Sequence, residues 1–199
     1  MSMKGNKGEW AEAYVFLRLL AAGELSGYDD LDDVPAVCMP IIKIIREEAS
    51  TRRNYELIDS RVHIIDALSG KTVMEVSTER FVKEADILLD KIKNAEGPSN
   101  SFLETEAFLN SIDVTQLKAK NIDKSDIKLI VHDAQTGQKP QLGYSIKSAI
   151  SKPATLFNPA PGTNFIFKII PPLNSSLDIA KLNFETIKKP RITSRVKEL

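Results

Sequence analysis

Two stretches decide the reading of this chain: Ser125-Asp126-Ile127-Lys128-Leu129-Ile130-Val131-His132-Asp133 and Gln141-Leu142-Gly143-Tyr144-Ser145-Ile146-Lys147-Ser148. Asp126 to Asp133 and Leu142 to Ser148 alternate apolar and polar residues with the period of a strand, and the segment between them is rich in Gly, Gln and Pro. They are expected to form a hairpin. A turn centred near Thr136-Gly137 places Asp126 opposite Lys147 and Lys128 opposite Ser145. Ile127, Leu129, Val131, Tyr144 and Ile146 then line a core face, while Asp126, Lys128, Ser145 and Lys147 share the polar one.

A carboxylate facing a lysine across two strands suits metal-assisted phosphodiester cleavage. The carboxylate takes a hard cation such as Mg²⁺, and the lysine orients the attacking water and offsets phosphate charge. The same pair is also what an ordinary surface hairpin contains. Glu12 adds weight to the first reading. Lys7 to Ala22 reads as a helix stopped by Gly23, with Trp10, Tyr14, Leu17 and Ala21 on one apolar stripe. Glu12 shares a second stripe with Val15, Phe16 and Leu19. A buried carboxylate without a partner costs on the order of several kcal/mol, so Glu12 needs a metal or a buried Lys or Arg. Glu9 lies in the first turn, where the helix dipole favours it without any function.

Around this pair the chain reads as helices and strands in alternation. Pro35 or Pro40 is expected to open a helix through Ile41, Ile42, Ile44 and Ile45. Arg61 to Ala67 and Lys71 to Ser77 flank the Ser69-Gly70 turn signal as a hairpin. A helix follows from Glu79 to Asn94, ended by Gly97-Pro98, and Ser101 with Glu104 gives a capping-box pattern for a short helix through Leu109. Asn164 to Ile170 reads as a further strand, ended by Pro171-Pro172. The expected fold is α/β, a mixed sheet of about five strands flanked by helices.

Composition bounds the functions. A chain of 199 residues with 42% hydrophobic content can bury one good core, so a single domain over 1–199 is expected. No run approaches the roughly 20 apolar residues that span a bilayer, and Met1 to Gly8 is too polar to open a secretory signal, so a cytoplasmic protein with no membrane partner is expected. The one cysteine, Cys38, between Val37 and Met39, excludes an internal disulfide and a cysteine-rich zinc site and is expected in the core. Basic and acidic residues balance at 27 each, which supplies no overall positive field for nucleic acid. Asp29, Asp30, Asp32 and Asp33 crowd one loop, while Lys188, Lys189, Arg191, Arg195 and Lys197 crowd the end, either to track phosphates or as a solvated tail. His63 and His132 have no partners at ligand spacing and read as structural or exposed.

These residues carry a resemblance. Lys7-Gly8-Glu9-Trp10-Ala11-Glu12 looks like the opening helix of PD-(D/E)XK nucleases, in which the glutamate at the position of Glu12 binds metal. Ser125-Asp126-Ile127 resembles the proline-aspartate motif with Ser125 in place of proline, and Ser145-Ile146-Lys147 resembles the E-X-K element with Ser145 in place of the acid. Some members take the missing carboxylate from a helix downstream of the lysine, but between Lys147 and Phe184 only Asp178 is acidic, which makes Glu12 the better donor. The run Gly143 to Ser148, continuing through Pro153-Ala154-Thr155-Leu156-Phe157-Asn158 to Thr163-Asn164-Phe165, is similar to HpaII-type restriction endonucleases.

The resemblance implies a Mg²⁺-dependent type II enzyme, a homodimer cutting double-stranded DNA at a short palindrome, CCGG. Asp126, Glu12 and the Ile146 carbonyl would hold the metal, and Lys147 would position the water, with Ser145 beside it. Ser148, Lys152, Asn158 and Asn164 follow the lysine, where loops of that fold face DNA; Asn can bond base edges and Lys phosphates. Members that run past residue 199 raise the alternative of a fragment of a longer chain. A structure-specific nuclease on the same core, and a non-catalytic DNA- or protein-binding module, are the rival readings.

Overall fold

The structure is a computed structural model that describes residues 2–28, 35–48, 51–119, 125–148 and 150. All of them lie in the first of the two units, 1–155 and 156–199, into which the chain divides. The expected strand at Asn164 to Ile170, the acidic loop and the basic tail lie outside the described residues.

Helix α1, Lys7–Ala22, starts where the sequence places it. Asn6 caps it, accepting the Glu9 N–H at 3.0 Å, while the Glu9 carboxylate accepts the Asn6 N–H at 2.9 Å. Gly23 ends it at φ 72°, a left-handed conformation that glycine adopts without strain, and sends its N–H back to Leu19 O. Strand β1, Glu24–Tyr28, follows and pairs with the first half of β2, Pro35–Glu47.

Strand β2 corrects the expected helix at Pro35 or Pro40 through Ile45. Ile41, Ile42, Ile44 and Ile45 are β-branched and stiff at χ1, and pack better on a pleated surface than against a helical turn. Pro40 is tolerated because β2 changes partners there, from β1 to β3, Arg52–Ile58, on one side and β6, Ile127–Val131, on the other. The sheet continues through β4, Arg61–Asp66, and β5, Thr72–Ser77, the expected hairpin, while β7, Gln141–Tyr144, borders β6. The order is β5-β4-β3-β2-β6-β7 with β1 beside β2: seven strands where about five are expected, all paired antiparallel among the described residues. With three helices against it, this is the α/β fold expected for a restriction-endonuclease-like core.

One row of the sheet, Leu129-Ile44-Tyr55-Ile64, crosses four strands and is fully buried under the helices. Phe16 of α1 meets Tyr55 edge-on, with ring centroids 4.9 Å apart. The Tyr55 hydroxyl donates to Ile112 O at 2.8 Å, which satisfies the polar end of a buried ring. The opposite sheet face carries polar pairs such as Lys43 with Glu56, 3.4 Å apart. Helix α2, Thr78–Asn94, buries Phe81, Ala85, Leu88 and Ile92, and packs on α1.

Two smaller expectations are also corrected. Ser101 does not cap α3, Leu103–Ser111; Phe102 stands at the cap, Ser101 Oγ lies 2.9 Å from Ser2 Oγ, and Glu104 turns to Lys91 at 2.7 Å. The helix simply begins too late for the Ser101-to-Glu104 spacing to span its first turn. Cys38 is exposed rather than in the core, because the first half of β2 extends past β3 and β6 and pairs with β1.

Candidate active site

The β6–β7 hairpin forms with a register two residues from the expected one. Ile127 pairs with Tyr144 and Lys128 with Gly143, so Asp126 is level with Ser145 rather than opposite Lys147, and Lys128 faces Gly143 rather than Ser145. The cause lies in the turn. Asp133 accepts the N–H groups of Gln135 and Thr136 and the Thr136 hydroxyl, closing a compact turn that is centred nearer the first strand. A shift of two keeps every side chain on its expected face. Ile127, Leu129 and Val131 are buried accordingly.

Asp126 is held at the mouth of this hairpin by two bonds. Its N–H donates to Tyr144 O at 2.8 Å, and its Oδ2 accepts the Ile146 N–H at 2.7 Å. The carboxylate is thus tied to the backbone of the Ser145-Ile146-Lys147 element. Ser145 and Lys147 themselves are exposed just beyond β7. Ser148 is half-buried and accepts the Ile150 N–H on its Oγ at 3.3 Å. Lys152, Asn158 and Asn164 lie outside the described residues.

Glu12 comes from α1. Its side chain is 17% exposed, with Lys118 4.0 Å away. Burial pushes its carboxyl up to about 7; the Lys118 ammonium opposes the shift, and the negative charges of Asp126 and Glu9 add to it. The Asp126 charge is therefore felt at Glu12, although the two residues come from distant parts of the chain.

Sequence reasoning missed the groups behind this pair. Arg46 and Glu48 are 6% and 7% exposed and bond each other at 2.7 Å; the Arg46 guanidinium also donates to Gln116 O and Leu117 O and lies over the Phe16 ring. Once β2 is read as a strand, Ile44, Arg46 and Glu48 share the core face, and that alternation is the signal that could have found them. Nothing in the pattern around Lys118 singles it out.

The donor chemistry fits Mg²⁺. Asp126, Glu12 and the Ile146 carbonyl offer hard oxygen atoms, and Mg²⁺ takes one or two carboxylates while keeping several waters. Among the described residues no group of three or more His, Cys, Asp and Glu is placed to hold a metal by itself.

The family model for HpaII restriction endonuclease matches residues 6–199. The chain belongs to the HpaII restriction endonuclease family. Among curated relatives, the type II restriction enzyme HpaII of Haemophilus parainfluenzae is 40% identical over 166 residues, which cover 83% of this chain and 46% of the relative. The chain thus spans about half the length of that HpaII relative. No solved structure matches this chain. Among the described residues no helix is long and apolar enough to cross a membrane.

Proposed function

We propose that this chain provides the catalytic core of a type II restriction endonuclease, which hydrolyses phosphodiester bonds of double-stranded DNA with Mg²⁺ at a short palindrome, CCGG by its resemblance to the HpaII type. The observation that carries the reading is the bond that ties the Asp126 carboxylate to the Ile146 N–H of the Ser-Ile-Lys element, with the Asp126 charge felt at Glu12. The cytoplasm is its expected place of action. A homodimer gives one site to each strand of a palindrome.

Asp126, Glu12 and the Ile146 carbonyl would hold Mg²⁺, which when bound supplies positive charge against the phosphate and leaving oxygens. The chain's own groups do the rest. Lys147 orients the attacking water and offsets the charge that grows on the phosphate; water adds to phosphorus, the P–O bond breaks, and the leaving oxygen takes up a proton. Ser145 offers a hydroxyl where a third carboxylate would stand, so Glu12 replaces that acid. Ser148, Lys152, Asn158 and Asn164 contact DNA, with Lys152 suited to phosphate and the two asparagines to base edges.

Isothermal titration of the DNA-free chain with Mg²⁺ and with Mn²⁺ tests the metal site. Binding that is abolished in Asp126→Asn and weakened in Glu12→Gln is expected. Absence of binding in the wild-type chain, or identical binding in both variants, would leave a non-catalytic module as the better description.

A further inference from the structure

The segment Thr115-Gln116-Leu117-Lys118 crosses beside the first turn of α1, and its first three residues are tied down. Thr115 donates its hydroxyl to Glu48 Oε2 at 2.6 Å, and Gln116 and Leu117 give their carbonyls to the buried Arg46 guanidinium. Leu117 is 7% exposed and packs so closely on Gly5 that a Cβ there would lie 2.5 Å from its Cδ1. A buried Arg–Glu pair is rarely the most stable filling of a core, so its use to hold a loop points to placement of that loop.

What the loop presents is an ammonium between two carboxylates. Lys118 Nζ lies 3.5 Å from Glu9 Oε1 and 4.0 Å from Glu12 Oε1. Glu9 is itself fixed, because its other oxygen, Oε2, closes the capping box on the Asn6 N–H. Lys118, whose side chain is 59% exposed, therefore lies between a fixed carboxylate on one side and Glu12 on the other.

We propose that Lys118 is a positioning residue of the cleavage site: anchored on Glu9 and on the loop that Arg46 clamps, it fixes the Glu12 carboxylate for metal binding. This rests on the nuclease reading of Glu12 and adds a second lysine to it. Lys118 acts through Glu12 and touches neither substrate nor the reacting atoms.

The test uses Lys118→Met and Lys118→Arg in the full chain, with three readouts: Mg²⁺ affinity without DNA, DNA affinity in Ca²⁺, and the single-turnover cleavage rate at saturating DNA. Removing one positive charge near a cation site should by electrostatics alone tighten Mg²⁺ binding. Positioning predicts the opposite: Lys118→Met weakens Mg²⁺ affinity and slows cleavage by about 10- to 100-fold with DNA affinity held within about threefold, and Lys118→Arg recovers most of both. Unchanged or tighter Mg²⁺ binding in Lys118→Met overturns the proposal, as does a rate loss fully accounted for by weaker DNA binding. If the wild-type chain binds Mg²⁺ but cuts no DNA, the nuclease reading fails on its own and the metal titration still decides for or against Lys118. A wild-type chain that binds no Mg²⁺ overturns both.

Discussion

The Ile146 N–H donates to Asp126 Oδ2 at 2.7 Å, so the carboxylate that opens β6 and the backbone between Ser145 and Lys147 form one unit. Asp126→Asn keeps an oxygen for that bond and should fold like the wild type, while cutting DNA at least about 100-fold more slowly, because a charged oxygen donor to the metal is lost. Asp126→Ala loses the acceptor as well, and urea unfolding should show a further cost of about 1–2 kcal/mol.

Glu12 titrates near 7, well above the ordinary value of 4.5, because burial disfavours its charged form. The stability linked to its proton is full below 4.5, where folded and unfolded states both hold the proton, and is lost as the pH rises through 7. In EDTA at pH 8, Glu12→Gln should therefore be more stable than wild type by on the order of 1–3 kcal/mol, with the two converging near the unfolded pKa. Denaturant midpoints across this range check it; a constant difference would contradict it. The same variant should be inactive, a case of stability given up for function.

Gly143 faces Lys128 across the hairpin, and a Cβ there would lie 2.9 Å from Ser125 Cβ. Gly143→Ala must push β7 away from the residue that precedes Asp126. Activity should fall by about tenfold or more, since small displacements of reacting groups are costly, against a stability loss of only about 1–2 kcal/mol. Equal retention of both would mean that Ser125 moves without carrying Asp126.

Arg46→Met leaves Glu48 buried without its cation and should cost about 3–5 kcal/mol in chemical denaturation. Arg46→Met combined with Glu48→Leu should cost less than the sum of the two single changes, because neither charge is then stranded. Strict additivity would argue against the pair as one unit.

The hairpins, α1, α2 and the shared polar face of Asp126, Ser145 and Lys147 were legible because period-2 and period-3.6 patterns depend on local chemistry alone. The run Ile41 to Ile45 was not. Its prolines suit a helix start as well as a strand that changes partners, and only pairing with β3 and β6 decides between them. Misreading that run hid Arg46 and Glu48, whose burial follows from the strand's alternation. The hairpin register depended on how the Asp133 side chain closes the turn, and Lys118 on a loop set by tertiary contacts, neither of which leaves a periodic trace.

Cleavage of two plasmids, one carrying CCGG and one stripped of it, with Mg²⁺ or EDTA, tests the central claim most directly when run with the wild-type chain and Lys147→Ala. The account predicts discrete, Mg²⁺-dependent fragments from the CCGG plasmid alone, absent with the variant. Cleavage that persists in EDTA or in Lys147→Ala would contradict it, as would intact plasmids throughout from a chain shown by circular dichroism to be folded.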